Sequence, residues 1–239
     1  SKLALLAANP QHVQPLTGSV RISDDFSIYI ADAAAETLFS AQYVQNALGL
    51  NSIDLYITAA RSHAKMIELS VNPVYCTRPQ GYKLFVEGDV VSIQGADAAG
   101  LYYGAVTFGQ LCTLYCDDEG VIELPATVID DWPDFPNRGV MLDITRDRVP
   151  IMETLYALVD RLASLKYNQL QLYTEHTFAY AGHEVVWKDA SPITGEEVLL
   201  LDAFCRERHV DFVPNQNSFG HMHRWLKHDE YRHLAEVPE

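Results

Sequence analysis

The stretch LPATVIDDWPDFPNRGVMLDITRD (residues 124–147) separates two different sequence patterns. Pro133 and Pro136 lie near its middle, and each proline fixes its own φ angle, lacks a backbone donor and restricts the residue before it. The segment therefore predicts an extended connector between two domains. We place these domains at residues 1–131 and 132–239.

Downstream of the connector, strand-like and helix-like runs alternate. Runs of strand character at 140–145, 168–174 and 210–216 enclose helical patterns at 152–166 and about 194–208. Leucines recur at helical spacing in the first helix, and an S/T-x-x-E capping box opens the second. A strand–helix–strand rhythm is typical of a parallel sheet, so the second domain is predicted to be α/β.

Upstream of the connector, short β-rich runs surround two helical patterns. Helices are expected at 33–48, with Gly49 as the C-cap, and at about 98–114. Gly88 marks a tight hairpin turn. The remaining runs predict strands at 19–22 and 26–30, paired with each other, and at 53–59, 66–71, 82–86 and 90–95. These elements predict an α+β domain with helices on one face of a mostly antiparallel sheet.

Charge and hydropathy exclude several classes of partner. The 239 residues carry a formal net charge of −15, which disfavours nucleic acid and anionic membrane surfaces. No run approaches the roughly 20 apolar residues of a membrane-spanning helix. The opening SKLALLAANP lacks the basic and apolar segments of a signal peptide, which favours a cytoplasmic location. A secreted or periplasmic location is the alternative if a signal peptide has been removed.

Metal and cofactor sites are not indicated. The four cysteines are scattered and are expected to be buried free thiols. His221, His223 and His228 raise a metal alternative, but no carboxylate stands at ligand spacing. We therefore expect neither a metal nor a cofactor.

Two runs of this chain resemble family 20 glycoside hydrolases, which are β-N-acetylhexosaminidases. The run at 81–114 contains the helix motif Ala98-Ala99-Gly100-Leu101, followed by Gln110-Leu111. The run at 124–147 matches the family's connector and first barrel strand through Asp131, Pro133, Phe135, Arg138-Gly139 and Leu142-Asp143. The likeness covers nearly the whole chain, because residues 7–22 also resemble the family's start.

The resemblance implies an α+β accessory domain followed by an α/β partial TIM (β/α)8 barrel of about three strands. It also implies removal of terminal N-acetylhexosamine by a substrate-assisted retaining mechanism, in which the sugar's acetamido oxygen attacks the anomeric carbon. The family's Asp-Glu pair follows the fourth barrel strand, whereas residues 138–239 supply three and a whole barrel takes about 250 residues. We therefore expect no catalytic residue here and an inactive chain, with a second copy as one way to cover the open barrel edge.

The resemblance also implies a set of sugar contacts. Arg138 is expected to grip hydroxyls of the terminal sugar, the alternative being a salt bridge to Asp131 or Asp134. His221 matches a family histidine that positions the general acid, while Asn215 and Asn217 replace two family acids. The full set of expected substrate contacts is Arg138, Asp143, Glu175, His176, Asn215, Asn217, His221 and Trp187. Tyr180, Phe219 and Trp225 are expected either to stack on pyranose faces or to pack in the core.

Two alternatives stay open. One is a carbohydrate-binding or scaffolding protein that has lost the chemistry. The other is a divergent barrel glycosidase acting on another sugar, which the replacement of the two acids by asparagine favours.

Overall fold

The computed structural model describes residues 2–32, 34–62 and 64–237. The chain divides into two compact units between Pro136 and Asn137, inside the proline-containing stretch. The N-terminal unit ends at Pro136 and the C-terminal unit begins at Asn137.

The N-terminal unit is a seven-stranded sheet with two helices, after a short 3-10 turn at Lys2–Leu5. In chain order its elements are β1 (His12–Ile22), β2 (Ser27–Ile30), α1 (Ala35–Gly49), β3 (Ile57–Thr58), β4 (Met66–Val71), β5 (Tyr82–Glu87), β6 (Val90–Gly95), α2 (Ala98–Leu114) and β7 (Ile122–Asp131). The strand order is β1-β7-β5-β6-β4-β2-β3. Helix α2 packs against both the sheet and α1, and twelve of its seventeen residues are buried.

Close packing in this unit explains the glycine of the Ala-Ala-Gly-Leu motif. Asp97 caps α2 by accepting from the Gly100 amide at 2.8 Å, and it also accepts from the Gln80 amide at 2.8 Å. A Cβ on Gly100 would lie 2.1 Å from the carbonyl oxygen of Gly81. Only glycine therefore lets the first turn of α2 approach the start of β5 this closely.

The sheet is mixed, so the expectation of a mostly antiparallel sheet is wrong. Three pairings are antiparallel (β1/β7, β5/β7 and β5/β6) and three are parallel (β2/β3, β2/β4 and β4/β6). The predicted pairing of 19–22 with 26–30 is also wrong. Strand β2 is buried along most of its length and lies between two neighbours, whereas β1 is mostly exposed and forms an edge.

Some local predictions are confirmed and others are corrected. Gly88, at φ +62°, makes the tight turn between β5 and β6. The run at 53–59 forms a strand only at Ile57–Thr58. Gly49 belongs to α1 and does not cap it, because Leu50 takes the C-cap position in right-handed helical conformation. The first helical position expected, residue 33, lies outside the described residues.

The C-terminal unit contains a three-stranded parallel sheet, as the alternating pattern predicted. Its elements are β8 (Gly139–Asp143), α3 (Met152–Ser164), β9 (Gln169–Thr174), α4 (Glu184–Trp187), α5 (Gly195–Glu207), β10 (Asp211–Gln216), α6 (His223–Leu226) and α7 (Asp229–Arg232). The order is β10-β9-β8, with every pairing parallel. The Thr194–Glu197 capping box is present at the start of α5.

The two faces of this sheet differ in chemistry. Leu170 and Leu172 of β9 are buried, while the alternating Gln169, Gln171 and Tyr173 are half-buried on the other face. Asn215 of β10 donates to Gln171 Oε1 at 3.0 Å on that second face. One face is therefore apolar, and the other is a polar surface that leads towards the strand ends.

The cysteines are free, as predicted. Cys76, Cys112 and Cys205 are buried, but Cys116 is only half-buried. Burial raises the pKa of the Cys205 thiol to about 12, which keeps it protonated and unreactive. Within the described residues, no group of three or more metal-ligating side chains converges, and no helix has the length and apolar character needed to cross a membrane.

Candidate functional site

Polar side chains converge where the three parallel strands end. The carboxyl ends of parallel strands lie at the same edge of a sheet, so residues that follow different strands meet there. We call this group the strand-end cluster, and its members are Asp143, Arg146, Tyr173, Glu175, Asn217 and His221.

Glu175 is the centre of the strand-end cluster and is only 4% exposed. Its Oε1 accepts hydrogen bonds from Arg146 Nη2 at 2.9 Å and from the Tyr173 hydroxyl at 2.8 Å. His221 Nδ1 lies 3.8 Å from the same oxygen. Burial alone would raise the pKa of Glu175, but these partners outweigh it and the pKa is lowered. Glu175 is therefore ionised at neutral pH, and its hydrogen bonds fix its position.

Asp143 ends β8 and faces the same guanidinium. Its Oδ1 accepts from the Thr145 amide at 2.8 Å and the Thr145 hydroxyl at 2.6 Å, and its Oδ2 lies 4.0 Å from Arg146 Nε. Burial acts to raise the pKa of Asp143, but the Thr145 hydrogen bonds and the Arg146 charge together lower it. Two ionised acids thus hold Arg146 from two sides.

Arg146 presents donors to an open cleft. Its side chain is 55% exposed although it contacts Asp143, Glu175 and the Thr145 hydroxyl. A guanidinium has five N–H donors in a fixed planar arrangement, which matches the spacing of vicinal hydroxyls. The cleft has a volume of about 240 Å³ and is lined by Thr145, Arg146, Asp147, Glu175, His221, His223 and Arg224.

Two residues at the rim of the cleft have a left-handed backbone. Asp147 has φ +60° and His221 has φ +56°. This conformation is energetically unfavourable for residues other than glycine, and such positions concentrate at binding and catalytic sites. Asp147 directly follows Arg146 in the chain, so both turns involve or adjoin a residue that approaches Glu175 Oε1.

The structure brings together four of the eight predicted substrate contacts. Asp143, Glu175, Asn217 and His221 belong to the strand-end cluster, and Asn217 Nδ2 donates to the Tyr173 hydroxyl at 2.6 Å. The other four lie elsewhere.

Arg138 lies at the opposite end of β8 from the cluster. Asp143 is five positions further along the chain, or about 16 Å at roughly 3.3 Å per residue. Its Nε donates to the carbonyl of Lys166 at 2.8 Å, and its amide donates to Asn168 Oδ1 at 2.7 Å. These contacts tie the start of β8 to the turn before β9.

His176, Asn215 and Trp187 also lie outside the strand-end cluster. His176 is buried and lines a neighbouring cavity. Asn215 bonds to Gln171 on the polar face of the sheet. Trp187 Nε1 donates to the Tyr180 carbonyl at 2.8 Å, which fixes the loop before α4.

Arg146 and Tyr173 are the members of the cluster that the sequence reasoning did not select. Arg146 stands in the loop that follows β8, where α/β enzymes place functional residues, and this position is the signal that could have selected it. Tyr173 alternates with the buried Leu172 and Thr174 and so faces the polar side.

The aromatic residues near the site divide into two groups. Trp225 packs against Tyr180, His183 and Tyr231, and its Nε1 donates to the Glu175 carbonyl at 2.6 Å. Phe219 is fully exposed between Asn217 and His221. Trp225 is thus part of the packing that holds Glu175, while the ring of Phe219 is open to solvent two residues before His221.

Parallel strands with a polar cluster at their carboxyl ends define an α/β unit of the kind that many enzymes use for small ligands. The domain 2 model of glycosyl hydrolase family 20 matches residues 8–132. This match covers most of the N-terminal unit and more than half of the chain. The chain belongs to glycosyl hydrolase family 20.

Relatives in sequence are β-hexosaminidases and a chitobiase. The β-hexosaminidase subunit beta of Rattus norvegicus is 26% identical over 157 residues, which cover 62% of this chain and 29% of that protein. The N,N'-diacetylchitobiase of Vibrio harveyi is 28% identical over 172 residues, covering 70% of this chain and 18% of that protein. The chain therefore spans less than a third of the length of either relative.

Solved structures share the fold over almost the whole chain. A GH20 exo-β-N-acetylglucosaminidase from Vibrio harveyi, in complex with N-acetylglucosamine, aligns with a TM-score of 0.82 at 19% identity, over 99% of this chain and 39% of that one. A Streptomyces plicatus β-hexosaminidase aligns with a TM-score of 0.80 at 23% identity, over 94% of this chain and 48% of that one.

Proposed function

We propose that this chain forms the accessory domain and part of the sugar-binding side of a β-N-acetylhexosaminidase that removes terminal N-acetylhexosamine by a substrate-assisted retaining mechanism. The observation that carries the proposal is the strand-end cluster, in which Arg146 is fixed between Asp143 and the buried Glu175. Family membership supports the assignment as a hydrolase, and the names of the relatives above support N-acetylhexosamine as the sugar.

The strand-end cluster offers hydrogen-bond donors and acceptors in fixed positions, which suits sugar recognition. A pyranose presents vicinal hydroxyls, each of which both donates and accepts. Arg146 offers donors, the half-exposed Asp143 offers an acceptor, and Asn217 offers an amide. The exposed ring of Phe219 is suited to the apolar face of a pyranose.

In the proposed architecture, β8, β9 and β10 are the first three strands of a (β/α)8 barrel. Their parallel order and the separation of an apolar face from a polar face agree with this placement. The strand-end cluster then lies at the end of the barrel where such enzymes build their sites.

Proton donation to the leaving group is assigned to residues outside this chain. A general acid that works near neutral pH needs a raised pKa. The pKa values of Asp143 and Glu175 are both lowered by their partners, so these acids suit binding and positioning. The 239-residue chain is therefore expected not to hydrolyse glycosides by itself.

The sugar-binding step is tested with the purified chain. Titration with N-acetylglucosamine, followed by ¹H–¹⁵N NMR, should perturb the amides of residues 143–147 and 217–221 with an affinity of about millimolar order, equivalent to about −4 kcal/mol. An aryl N-acetyl-β-hexosaminide should show no turnover. Perturbations confined to other regions would overturn the proposed site, and measurable turnover would overturn the assignment of catalysis to other residues.

A non-catalytic carbohydrate-binding role is the second candidate. It is favoured by Asn215 and Asn217, which stand where the resemblance places acids and which bond as neutral amides to Gln171 and Tyr173. Hydrolysis of the aryl glycoside by a longer protein that includes this chain separates the two candidates.

A further inference from the structure

Gln216 is a polar side chain on the apolar face of the three-stranded sheet. Along β10 it alternates with Phe212 and Pro214. In the pairing with β9, Pro214 stands opposite the buried Leu172, and Gln216 stands opposite Thr174. An apolar residue at this position would continue the face without any need for hydrogen bonds. A half-buried amide there therefore requires another explanation.

The Gln216 amide uses all four of its hydrogen-bonding positions. Its Oε1 accepts from the Thr174 hydroxyl at 3.1 Å and from the Tyr180 hydroxyl at 3.0 Å. Its Nε2 donates to the main-chain carbonyl of Glu175 at 3.1 Å and to that of Asn217 at 2.9 Å. Carbonyl oxygens only accept, so the nitrogen must face them, and this fixes the orientation of the amide.

The carbonyl of Glu175 lies just beyond the sheet. Thr174 and Gln216 are the last paired residues of β9 and β10, so the peptide that follows Glu175 lies past the end of the ladder. Its carbonyl accepts from Gln216 Nε2 and from Trp225 Nε1, the latter at 2.6 Å. Two donors on one carbonyl restrict the rotation of that peptide and thereby the direction of the Glu175 side chain.

Gln216 closes a circuit of hydrogen bonds with the strand-end cluster. Its amide nitrogen holds the carbonyls of Glu175 and Asn217. The side chains of these two residues meet at the Tyr173 hydroxyl, which donates to Glu175 Oε1 at 2.8 Å and accepts from Asn217 Nδ2 at 2.6 Å. Because Arg146 also bonds to Glu175 Oε1, a displacement of the Glu175 main chain would move the guanidinium as well.

Tyr180 extends the circuit to the loop before α4. Its hydroxyl bonds to Gln216, and its ring lies 5.9 Å from that of Trp225 between centroids. The Tyr180 carbonyl in turn accepts from Trp187 Nε1 at 2.8 Å. One residue of this loop therefore contacts both donors to the Glu175 carbonyl.

We propose that Gln216 is a positioning residue of the sugar site: through the carbonyls of Glu175 and Asn217 it holds both side chains, and through Glu175 the Arg146 guanidinium, in the arrangement that meets the sugar. The inference rests on the proposed function for the identity of the ligand, whereas the effect of Gln216 on Glu175 is independent of it. Gln216 acts through its neighbours and not by touching the sugar, because all four of its hydrogen-bonding positions are already used.

The substitution Gln216→Met tests this role, because it keeps the length of the side chain, adds no charge and removes all four hydrogen bonds. In the folded variant the carboxyl titration of Glu175, followed by ¹³C NMR, should move to higher pH, since the carboxylate is less well aligned with Arg146, Tyr173 and His221. Calorimetry should show that N-acetylglucosamine binds about three- to tenfold more weakly, the effect expected from losing one or two hydrogen bonds.

The matched control is Gln94→Met in the N-terminal unit. Gln94 is also half-buried, and its amide accepts from Asn72 Nδ2 and donates to the Ser92 hydroxyl, both at 3.1 Å. This variant should lower the free energy of unfolding but leave the Glu175 titration and the sugar affinity unchanged. The comparison separates positioning of the cluster from a general loss of stability.

A milder variant covers the case in which Gln216→Met does not fold. Tyr180→Phe removes one hydroxyl from Gln216 Oε1 and keeps the ring and the Thr174 hydrogen bond. It should move the Glu175 titration in the same direction by a smaller amount. If it is the only one of the two that folds, an unchanged titration overturns the inference.

The remaining outcomes distinguish this inference from the proposed function. An unchanged Glu175 titration in folded Gln216→Met, or a shifted titration with an unchanged affinity for N-acetylglucosamine, would overturn the role of Gln216 and leave the proposed function standing. A shifted titration in a chain whose wild type does not bind N-acetylglucosamine would support Gln216 as the residue that positions Glu175 and would overturn the proposed function.

Discussion

Arg146 Nη2 lies 2.9 Å from Glu175 Oε1, and the same oxygen accepts the hydroxyl of Tyr173 at 2.8 Å. Arg146 comes from the loop after β8, and Glu175 follows β9. The ion pair therefore joins two neighbouring strand ends and fixes the direction in which the guanidinium meets the cleft.

Substitutions of Arg146 should show whether its charge or its planar set of donors matters for sugar binding. Arg146→Ala is expected to weaken N-acetylglucosamine binding tenfold or more. Arg146→Lys should recover only part of the loss, because an ammonium group lacks the planar set of donors. Calorimetric titration checks both variants, and Arg206→Ala is the matched control. Full recovery by lysine would show that charge alone matters at this position.

The lowered pKa of Glu175 gives a signed prediction for stability. A carboxyl group whose pKa is lower in the folded than in the unfolded state stabilises the fold above its unfolded pKa, about 4.3, and this contribution is lost as the pH falls. Glu175→Gln should therefore lower the free energy of unfolding at pH 7, and its difference from wild type should shrink below about pH 4. Urea denaturation at pH 7, 5, 4 and 3 measures this difference. A difference that stays constant with pH would exclude the Arg146–Glu175 charge interaction as its source.

The tight contact of α2 with β5 predicts an intolerant glycine. In Gly100→Ala, the new Cβ would lie 2.1 Å from the Gly81 carbonyl oxygen, so the helix must move. We expect a loss of about 2 kcal/mol or more in unfolding free energy. Gly49→Ala is the control, since a Cβ there meets no atom within 4 Å and the residue is helical. That control should stabilise the chain by about 0.5 kcal/mol.

The sequence predicted the C-terminal unit better than the N-terminal one. Alternating strands and helices with clear caps leave a parallel sheet as the simplest outcome, and β8 to β10 form it. In the N-terminal unit, local patterns located most strands but did not determine their partners. Strand β1 pairs with β7 across more than a hundred residues, and only burial along each strand distinguishes edge from centre.

The predicted sugar contact at Arg138 has not been tested. The resemblance implies that Arg138 binds the sugar, whereas the residue lies at the start of β8 and the strand-end cluster lies at its other end. Arg138→Ala should therefore lower the thermal midpoint by breaking the bond to the Lys166 carbonyl, while the folded variant keeps its affinity for N-acetylglucosamine. Calorimetric titration below the unfolding temperature measures that affinity. A tenfold loss of affinity with an unchanged midpoint would instead support Arg138 as a sugar contact, as the resemblance implies.

The exposed ring of Phe219 provides a test in which stability and binding separate completely. Phe219 is fully exposed and contributes nothing to the core, so Phe219→Ala should leave the unfolding free energy unchanged within about 0.5 kcal/mol. If the ring covers the apolar face of a bound pyranose, its removal should weaken N-acetylglucosamine binding about three- to tenfold, the equivalent of about 0.5–1.5 kcal/mol for an aromatic contact. Phe219→Trp should retain or improve the affinity, because the larger ring keeps the platform. Leu50→Ala removes another highly exposed apolar side chain, from the N-terminal unit, and should change neither quantity. Equal affinities for wild type and Phe219→Ala would exclude the Phe219 ring as a sugar contact.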